Sequence, residues 1–313
     1  MSLQSSNALL TNFIAQSAAM MDVMRGVDSY ARALTPLILV GATGSGKTTL
    51  AELIHAQSLR EGPFAAHTAG EFERNLEHSQ LFGHERGAFT GAADRHVGAL
   101  EESAGGTLLL DDFHHLRRST QTLLLRVLDR GVFRRLGGSR DLPLLCRVIV
   151  GLTDTPDQLV ERGTLLIELR YRLGYCVIRL PTLAERREDI PALAARFLTL
   201  CPSQTEVEGP EHLAPEVISL LQTALWPGNV RQLEMVVRDA YLRARGSRVV
   251  RISHVADLVQ LPVRFMRWGD PATNARAVRL ALQVARGQVD GAARLLSTSR
   301  STIYHYRDSS AAG

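Results

Sequence analysis

The stretch Gly41-Ala-Thr-Gly44-Ser45-Gly46-Lys47-Thr48 constrains this chain more than any other, because of what stands on either side of it. Before it, Pro36-Leu-Ile-Leu-Val40 is a short apolar run ending in a glycine, the pattern of a strand buried in a parallel sheet. After it the pattern turns helical. Strand, glycine-rich turn and helix in that order aim backbone N–H groups and a helix N-terminus at one point, where an anion is held. The spacing is a full match to a phosphate-binding loop. Gly41, Gly44, Ser45, Gly46 and Thr49 are then nucleotide-binding positions, Lys47 reaches the β- and γ-phosphates, and Thr48 holds Mg²⁺. Of the 36 basic residues, Lys47 is the single lysine. The expected cofactors are ATP and Mg²⁺.

A second motif supports the first. Gly106-Thr-Leu-Leu-Leu-Asp111-Asp112 is an apolar strand ending in two carboxylates, Asp111 placed to hold Mg²⁺ and Asp112 to orient or polarise the attacking water. Arg147-Val-Ile-Val150 reads as a further strand, with helical patterns between such as Thr120 to Arg130, so the first half is an α/β layered domain. From Leu183 the character changes. Helices are expected from Asp189-Ile190-Pro191, over Pro215 to Thr223 and over Asn229 to Ala244, with no convincing long strand. Residues 261–273 read as a linker and the last forty as helices again.

The 313 residues allow about two domains, and 45% hydrophobic content gives them real cores. Cys146, Cys176 and Cys201 form no CxxC pair and no metal spacing, no run of 18 apolar residues occurs, and the start Met1-Ser2-Leu3-Gln4 lacks a secretory pattern. A cytoplasmic protein with no membrane span is expected. The net charge is +4, yet from Pro262 to Gly313 eight Arg face three Asp with no Glu or Lys. The basicity therefore belongs to the tail.

Between the two nucleotide motifs lies Leu81-Phe82-Gly83-His84-Glu85-Arg86-Gly87-Ala88-Phe89-Thr90-Gly91-Ala92. This stretch closely resembles the signature of bacterial enhancer-binding proteins, the AAA+ activators of sigma-54 RNA polymerase. In that family Gly-Ala-Phe-Thr-Gly-Ala is the tip of a loop that contacts sigma-54, which assigns that contact here to Gly87, Ala88, Phe89, Thr90, Gly91 and Ala92. Two glycines permit a tight exposed loop, and Phe89 with Thr90 gives it an apolar and hydrogen-bonding point. The resemblance continues through Leu124 to Leu128, Arg135 to Gly138, Tyr171-Arg172-Leu173, Arg187 to Pro191 and Trp226-Pro-Gly-Asn-Val-Arg231. It implies a P-loop AAA+ three-layer sandwich over residues 1–182, a helical lid over 183–260, and a small all-α helix-turn-helix domain over 274–313. It also implies that Arg231 contacts nucleotide from its own subunit, that Arg172 reaches the neighbouring subunit's site as an arginine finger, and that hydrolysis needs a ring, typically a hexamer.

The departures from the family pattern gather near the catalytic step. Asp112 stands where the family has Glu, and Thr68 where an Asn holds that Glu inactive. Leu152 and Thr153 replace Thr-Asn of the first sensor, and Leu166 replaces the first of two arginine fingers, with Arg170 four residues on. Nucleotide binding does not depend on these groups, whereas robust turnover does.

In the tail, helices are expected over Ala275 to Arg286, Val289 to Leu296 and Arg300 to Arg307, with Ser299 as an N-cap and Ser297 in the turn. Gly287 to Leu296 followed by Ser299 to Tyr304 resembles the Fis-type DNA-binding domain that ends the family. Arg300, Ser301, Thr302, His305 and Arg307 would then face double-stranded DNA. The expectation is a sigma-54-dependent activator that binds upstream DNA and spends ATP in a ring to remodel the closed RNA polymerase holoenzyme complex, with no regulatory domain ahead of the ATPase. The alternatives are a hydrolysis-deficient DNA-binding subunit of a mixed ring, or a repressor with a vestigial ring.

Overall fold

Leu37, Ile38, Leu39 and Val40 are all buried, so this strand has no solvent side and needs a layer on each face. A computed structural model supplies both layers; it describes residues 13–308 apart from 34, 74, 206–208, 261–274, 276–277, 280, 284, 286 and 297. The elements of the first unit, Met1–Thr182, are α1 (Ala18–Arg32), β1 (Leu37–Val40), α2 (Lys47–Gln57), β2 (Phe64–Thr68), α3 (Glu77–Phe82), α4 (Ala99–Glu102), β3 (Thr107–Asp111), α5 (Arg118–Arg130), β4 (Val132–Phe133), β5 (Leu142–Pro143), β6 (Arg147–Leu152), α6 (Pro156–Glu161), α7 (Ile167–Leu173) and β7 (Val177–Arg179).

Five strands form one parallel sheet in the order β2-β3-β6-β1-β7. Side chains alternate across it. Ile38, Val40, Leu108, Leu110, Val148 and Val150 point into a core with α5, α6 and α7, while Leu37, Leu39, Leu109, Ile149 and Ile178 point into a second core with α1 and α2. The result is the expected three-layer α/β sandwich. One polar side chain crosses a buried layer: Arg147, 2% exposed, donates from Nε to the Thr35 carbonyl and from Nη1 to the Ala31 carbonyl in the last turn of α1.

The second unit, Leu183–Gly313, holds α8 (Ile190–Thr205), β8 (His212–Leu213), α9 (Pro215–Thr223), α10 (Asn229–Arg243) and β9 (Val249–Val250), then α11 (Val289–Leu295) and α12 (Arg300–Asp308). Its first part is less purely helical than the sequence suggests, since β8 and β9 form a two-residue parallel pair. The linker 261–273 and Ser297 lie outside the described residues. Helical backbone is described at 275, 278–279 and 281–283, and Val278, Ala281, Ala292, Ala293, Leu296 and Ile303 make a separate small core.

Candidate functional site

The carboxyl ends of the parallel strands carry the candidate chemistry, as in other open α/β sheets. β1 ends at Val40, and the chain turns through Gly44 (φ 74°) and Gly46 (φ 104°), conformations that favour glycine. Gly46 is the N-cap of α2 and supplies no side-chain cap, so the first N–H groups of that helix stay available to an anion. A Cβ on Gly46 would meet nothing within 4 Å, whereas one on Gly41 would lie 2.7 Å from Ser45 Oγ. Thr48 and Thr49 are exposed at the helix start. Lys47 is 4% exposed, with Nζ donating to the Gly41 carbonyl at 3.0 Å and lying 3.4 Å from Asp111 Oδ1. This donor set suits a polyphosphate with its divalent ion. Among the described residues no group of three or more His, Cys, Asp or Glu could hold a metal alone, and Mg²⁺ is ordinarily bound by one or two carboxylates together with substrate phosphates.

Asp111 closes β3, and its neighbour in register is Thr68 at the end of β2. Gly151 on β6 makes room for the carboxylate, because a Cβ there would lie 2.0 Å from Asp111 Oδ1. Asp112 adopts φ 50°, a left-handed turn that an Asp tolerates, and its Oδ1 is buried without a hydrogen-bond partner among the described residues. Thr68 is occupied elsewhere: it forms a capping box with Glu71, its own N–H donating to Glu71 Oε2 at 3.2 Å. Two residues beyond Asp112, His114 is 9% exposed, with Nε2 3.4 Å from Thr153 Oγ1 and a buried Nδ1 lacking a partner. Burial lowers its pKa below the usual 6.5; His115 and Lys47 push the same way, and Asp112 and Asp154 oppose them. Sequence reasoning missed both Gly151 and His114. A glycine inside an apolar strand was the available signal for the first.

The loop of residues 87–92 follows α3 in the chain. Gly87 (φ 79°) and Gly91 (φ 102°) allow its turns, and Gly87 N–H donates to the Ala92 carbonyl at 2.9 Å. Thr90 is exposed as expected. Phe89 is half-buried: its ring packs edge-on against His84 at 4.9 Å, which removes part of it from water. Arg135, 9% exposed at the side chain, bolts the loop's base by reaching Glu85 and Glu101, each at 2.6 Å. Ala88 approaches Gly137 so closely that a Cβ there would lie 2.9 Å from the alanine's own.

The arginines divide clearly. Arg172 is 46% exposed, donates to the Leu128 carbonyl at the end of α5 and pairs with Asp129 at 3.0 Å. Arg170 is held inside its own unit by Asp157 at 3.0 Å, the Gly174 carbonyl and the ring of Tyr175. Leu166 packs against the first core. In the second unit, Arg231 is exposed on the first turn of α10. Asn229 (φ 52°) accepts the Leu183 N–H at 2.9 Å, and Trp226 Nε1 donates to the Leu221 carbonyl, fixing that helix start.

On α12, Ser299 accepts the Thr302 N–H at 3.3 Å, an N-cap contact. Arg300, Ser301, His305 and Arg307 are exposed; Thr302 is half-buried with its hydroxyl 2.8 Å from Ser299 Oγ. Arg300 pairs with Asp290. Tyr304, 44% exposed with the Arg307 guanidinium over its ring, shares that face and was missed in the sequence because an aromatic reads as core.

Among the described residues no helix is long and apolar enough to cross a membrane. A family profile described as the sigma-54 interaction domain matches residues 13–179, and one described as the AAA+ ATPase lid domain matches residues 184–261. The DNA-binding transcriptional regulator NtrC of Escherichia coli (strain K12) is 33% identical over 95% of this chain and 70% of its own length. Luminescence regulatory protein LuxO of Vibrio campbellii is 34% identical over 93% of this chain and 68% of its own. The structure of NtrX from Brucella abortus in complex with ATP aligns with a TM-score of 0.70 at 29% identity, covering 95% of this chain and 68% of that one. On the P-loop sheet, the following lid and these matches together, the chain belongs to the sigma-54 interaction domain family of AAA+ transcriptional regulators.

Proposed function

We propose that this chain activates transcription by sigma-54 RNA polymerase, bound upstream through its C-terminal helices and working as an ATP-hydrolysing ring. The observation that carries the reading is the loop of residues 87–92, exposed at Thr90 and bolted at its base to the nucleotide-binding unit by Arg135. ATP would be held by Gly41, Gly44, Ser45, Gly46, Lys47, Thr48 and Thr49, with Arg231 from the lid. Mg²⁺ would be held by Thr48 and Asp111, where it neutralises phosphate charge. Asp112 would polarise water, and Arg172 would serve the neighbouring subunit's site in a hexameric ring. α12 would lie on duplex DNA through Arg300, Ser301, Thr302, His305 and Arg307, and the basic tail favours that partner. Replacing Thr90 with Ala should abolish activation at a sigma-54-dependent reporter while ATP binding persists. Unchanged activation would overturn the loop assignment.

A second reading has its own observations. Leu166 stands where a finger is expected, and Arg170 is tied to Asp157 and Gly174 within its own unit. A non-hydrolysing subunit of a mixed ring would need neither. ATPase activity of the purified chain across a concentration series separates the two: turnover that rises with self-assembly supports the first, and none at any concentration supports the second.

A further inference from the structure

We propose that His114 is the second acceptor for the attacking water, sharing it with Asp112 and recovering the reach lost where the carboxylate is one methylene short. The inference rests on the hydrolytic reading above and adds a residue to its site.

Two buried polar atoms in the turn that follows Asp111 have no protein partner among the described residues: Asp112 Oδ1 and His114 Nδ1. A buried polar group left unpaired costs about 1–3 kcal/mol, so two within one short turn call for an explanation. Both are set by the backbone. Asp112 leaves β3 in a left-handed conformation and opens the 3-10 turn Phe113–His115. Phe113 is fully buried in the first core and anchors that turn. His114 is thereby 91% hidden from solvent, and close enough to Asp112, Asp154, His115 and Lys47 to feel their charges.

The first-sensor position completes the arrangement. Thr153 follows the end of β6, and its hydroxyl is the partner of His114 Nε2 at 3.4 Å. The imidazole proton sits on Nε2, donated to Thr153 Oγ1, which leaves a lone pair on Nδ1. Burial, the main influence on this imidazole, keeps it in the neutral form that can accept. A water with one hydrogen on Asp112 Oδ1 and the other on His114 Nδ1 turns its free lone pair toward the γ-phosphorus. In the reaction the water oxygen bonds to phosphorus, and the bond from phosphorus to the β–γ bridging oxygen breaks with its electron pair leaving on ADP. The water proton passes to Asp112 and then to inorganic phosphate. His114 holds and aims the water and keeps its own proton throughout.

The test uses the full chain at concentrations where turnover has saturated, comparing it with His114→Phe, His114→Asn and Thr153→Val. Phe keeps the volume and removes the acceptor; Asn can set an amide oxygen where Nδ1 stands. His114→Phe should lower kcat about 100-fold, the low end of what a positioned group contributes in general acid–base catalysis, with KM and the affinity for a fluorescent ATP analogue unchanged. Its affinity for ADP with aluminium fluoride, which traps the in-line water, should fall in parallel. His114→Asn should retain most of kcat, and Thr153→Val should lie between. Equal kcat in wild type and His114→Phe would overturn the proposal alone. So would a His114→Asn variant as slow as His114→Phe, or parallel loss of ATP binding in both. A wild-type chain that never turns over would overturn the hydrolytic reading, and this proposal with it.

Discussion

Replacing Arg172 with Ala separates a structural arginine from one that works across a subunit boundary, because the two roles differ in size. Within its own unit the guanidinium is 46% exposed and its partner Asp129 50% exposed, so that pair contributes at most about 1 kcal/mol after solvent screening. Its hydrogen bond to the Leu128 carbonyl, at the negative end of α5, adds about 0.3–1 kcal/mol. Arg172→Ala should therefore unfold only a few degrees earlier than wild type. If the same side chain stabilises charge on a neighbour's γ-phosphoryl group, turnover falls by about 10³–10⁵, which is about 4–7 kcal/mol on the barrier. The assay is steady-state ATPase with a fluorescent-nucleotide titration beside it. Kd should hold while kcat collapses. Complementation then locates the finger: mixed with Lys47→Ala, which lacks the phosphate-binding lysine and keeps Arg172, the dead variant should regain activity. At equal amounts and random assembly about a quarter of head-to-tail interfaces pair an intact site with an intact finger. Recovery toward about a quarter of wild-type rate is the expected result. A kcat for Arg172→Ala within tenfold of wild type, or a mixture that stays dead while both variants still assemble, would refute the reasoning.

Three more perturbations have expected outcomes. Gly98→Ala should destabilise the chain by at least about 1–3 kcal/mol, since its Cβ would lie 2.2 Å from Gly83 N and 2.6 Å from the Phe82 carbonyl carbon, both backbone atoms at the loop's root; a melting temperature equal to wild type would contradict the packing described. His55, buried with Nδ1 2.9 Å from Thr107 Oγ1, has its pKa lowered by burial, so its contribution to stability is complete above about pH 6.5 and is lost as pH falls. Thermal melts at about pH 7.5 and 5.5 should show that loss, and His55→Gln should shrink the difference between them. If α12 lies on duplex DNA as proposed, Arg307→Ala should weaken that binding evenly across sequences and reduce the slope of log K against log salt by about one; an unchanged slope would remove Arg307 from the proposed phosphate contacts.

How much was legible follows from where each strand sits in the sheet. β1, β3 and β6 are interior strands covered on both faces, so each shows an unbroken apolar run. β2 and β7 are the two edges, and neither was read as a strand. Phe64-Ala-Ala-His-Thr68 is only half-buried, and Val177-Ile-Arg179 is three residues long with an exposed arginine. Edge strands need fewer apolar residues, and the periodic signal fades accordingly. The site divides along a similar line. Lys47, Thr48 and Asp111 were legible because a local backbone conformation dictates their spacing. Gly151 and His114 acquire meaning only across strands, from an Asp111 carboxylate 40 residues before the one and a Thr153 hydroxyl 39 residues after the other.

Two of the positions that depart from the family pattern, Thr68 and Leu166, have found another occupation, and so has Arg170 near the absent finger, and this changes what those departures mean. Thr68 caps the turn at Ala69 to Glu71, Leu166 fills the first core, and Arg170 is locked by Asp157 and Gly174. Restoring a family residue at Thr68 or Leu166 would break a contact this chain now uses, so a reversion such as Leu166→Arg would strip the core of an apolar side chain before supplying a finger. Asp112, Thr153 and Arg172 are different. Asp112 ends in an unpartnered buried oxygen, Thr153 faces a histidine the pattern does not anticipate, and Arg172 is half-exposed at the end of a helix. On the proposed hydrolytic reading, these three residues and His114 act beside Lys47, Thr48 and Asp111. On the proposal that His114 shares the attacking water with Asp112, Asp112→Glu should raise turnover only in a His114→Ala background; an equal gain with His114 in place would count against that sharing.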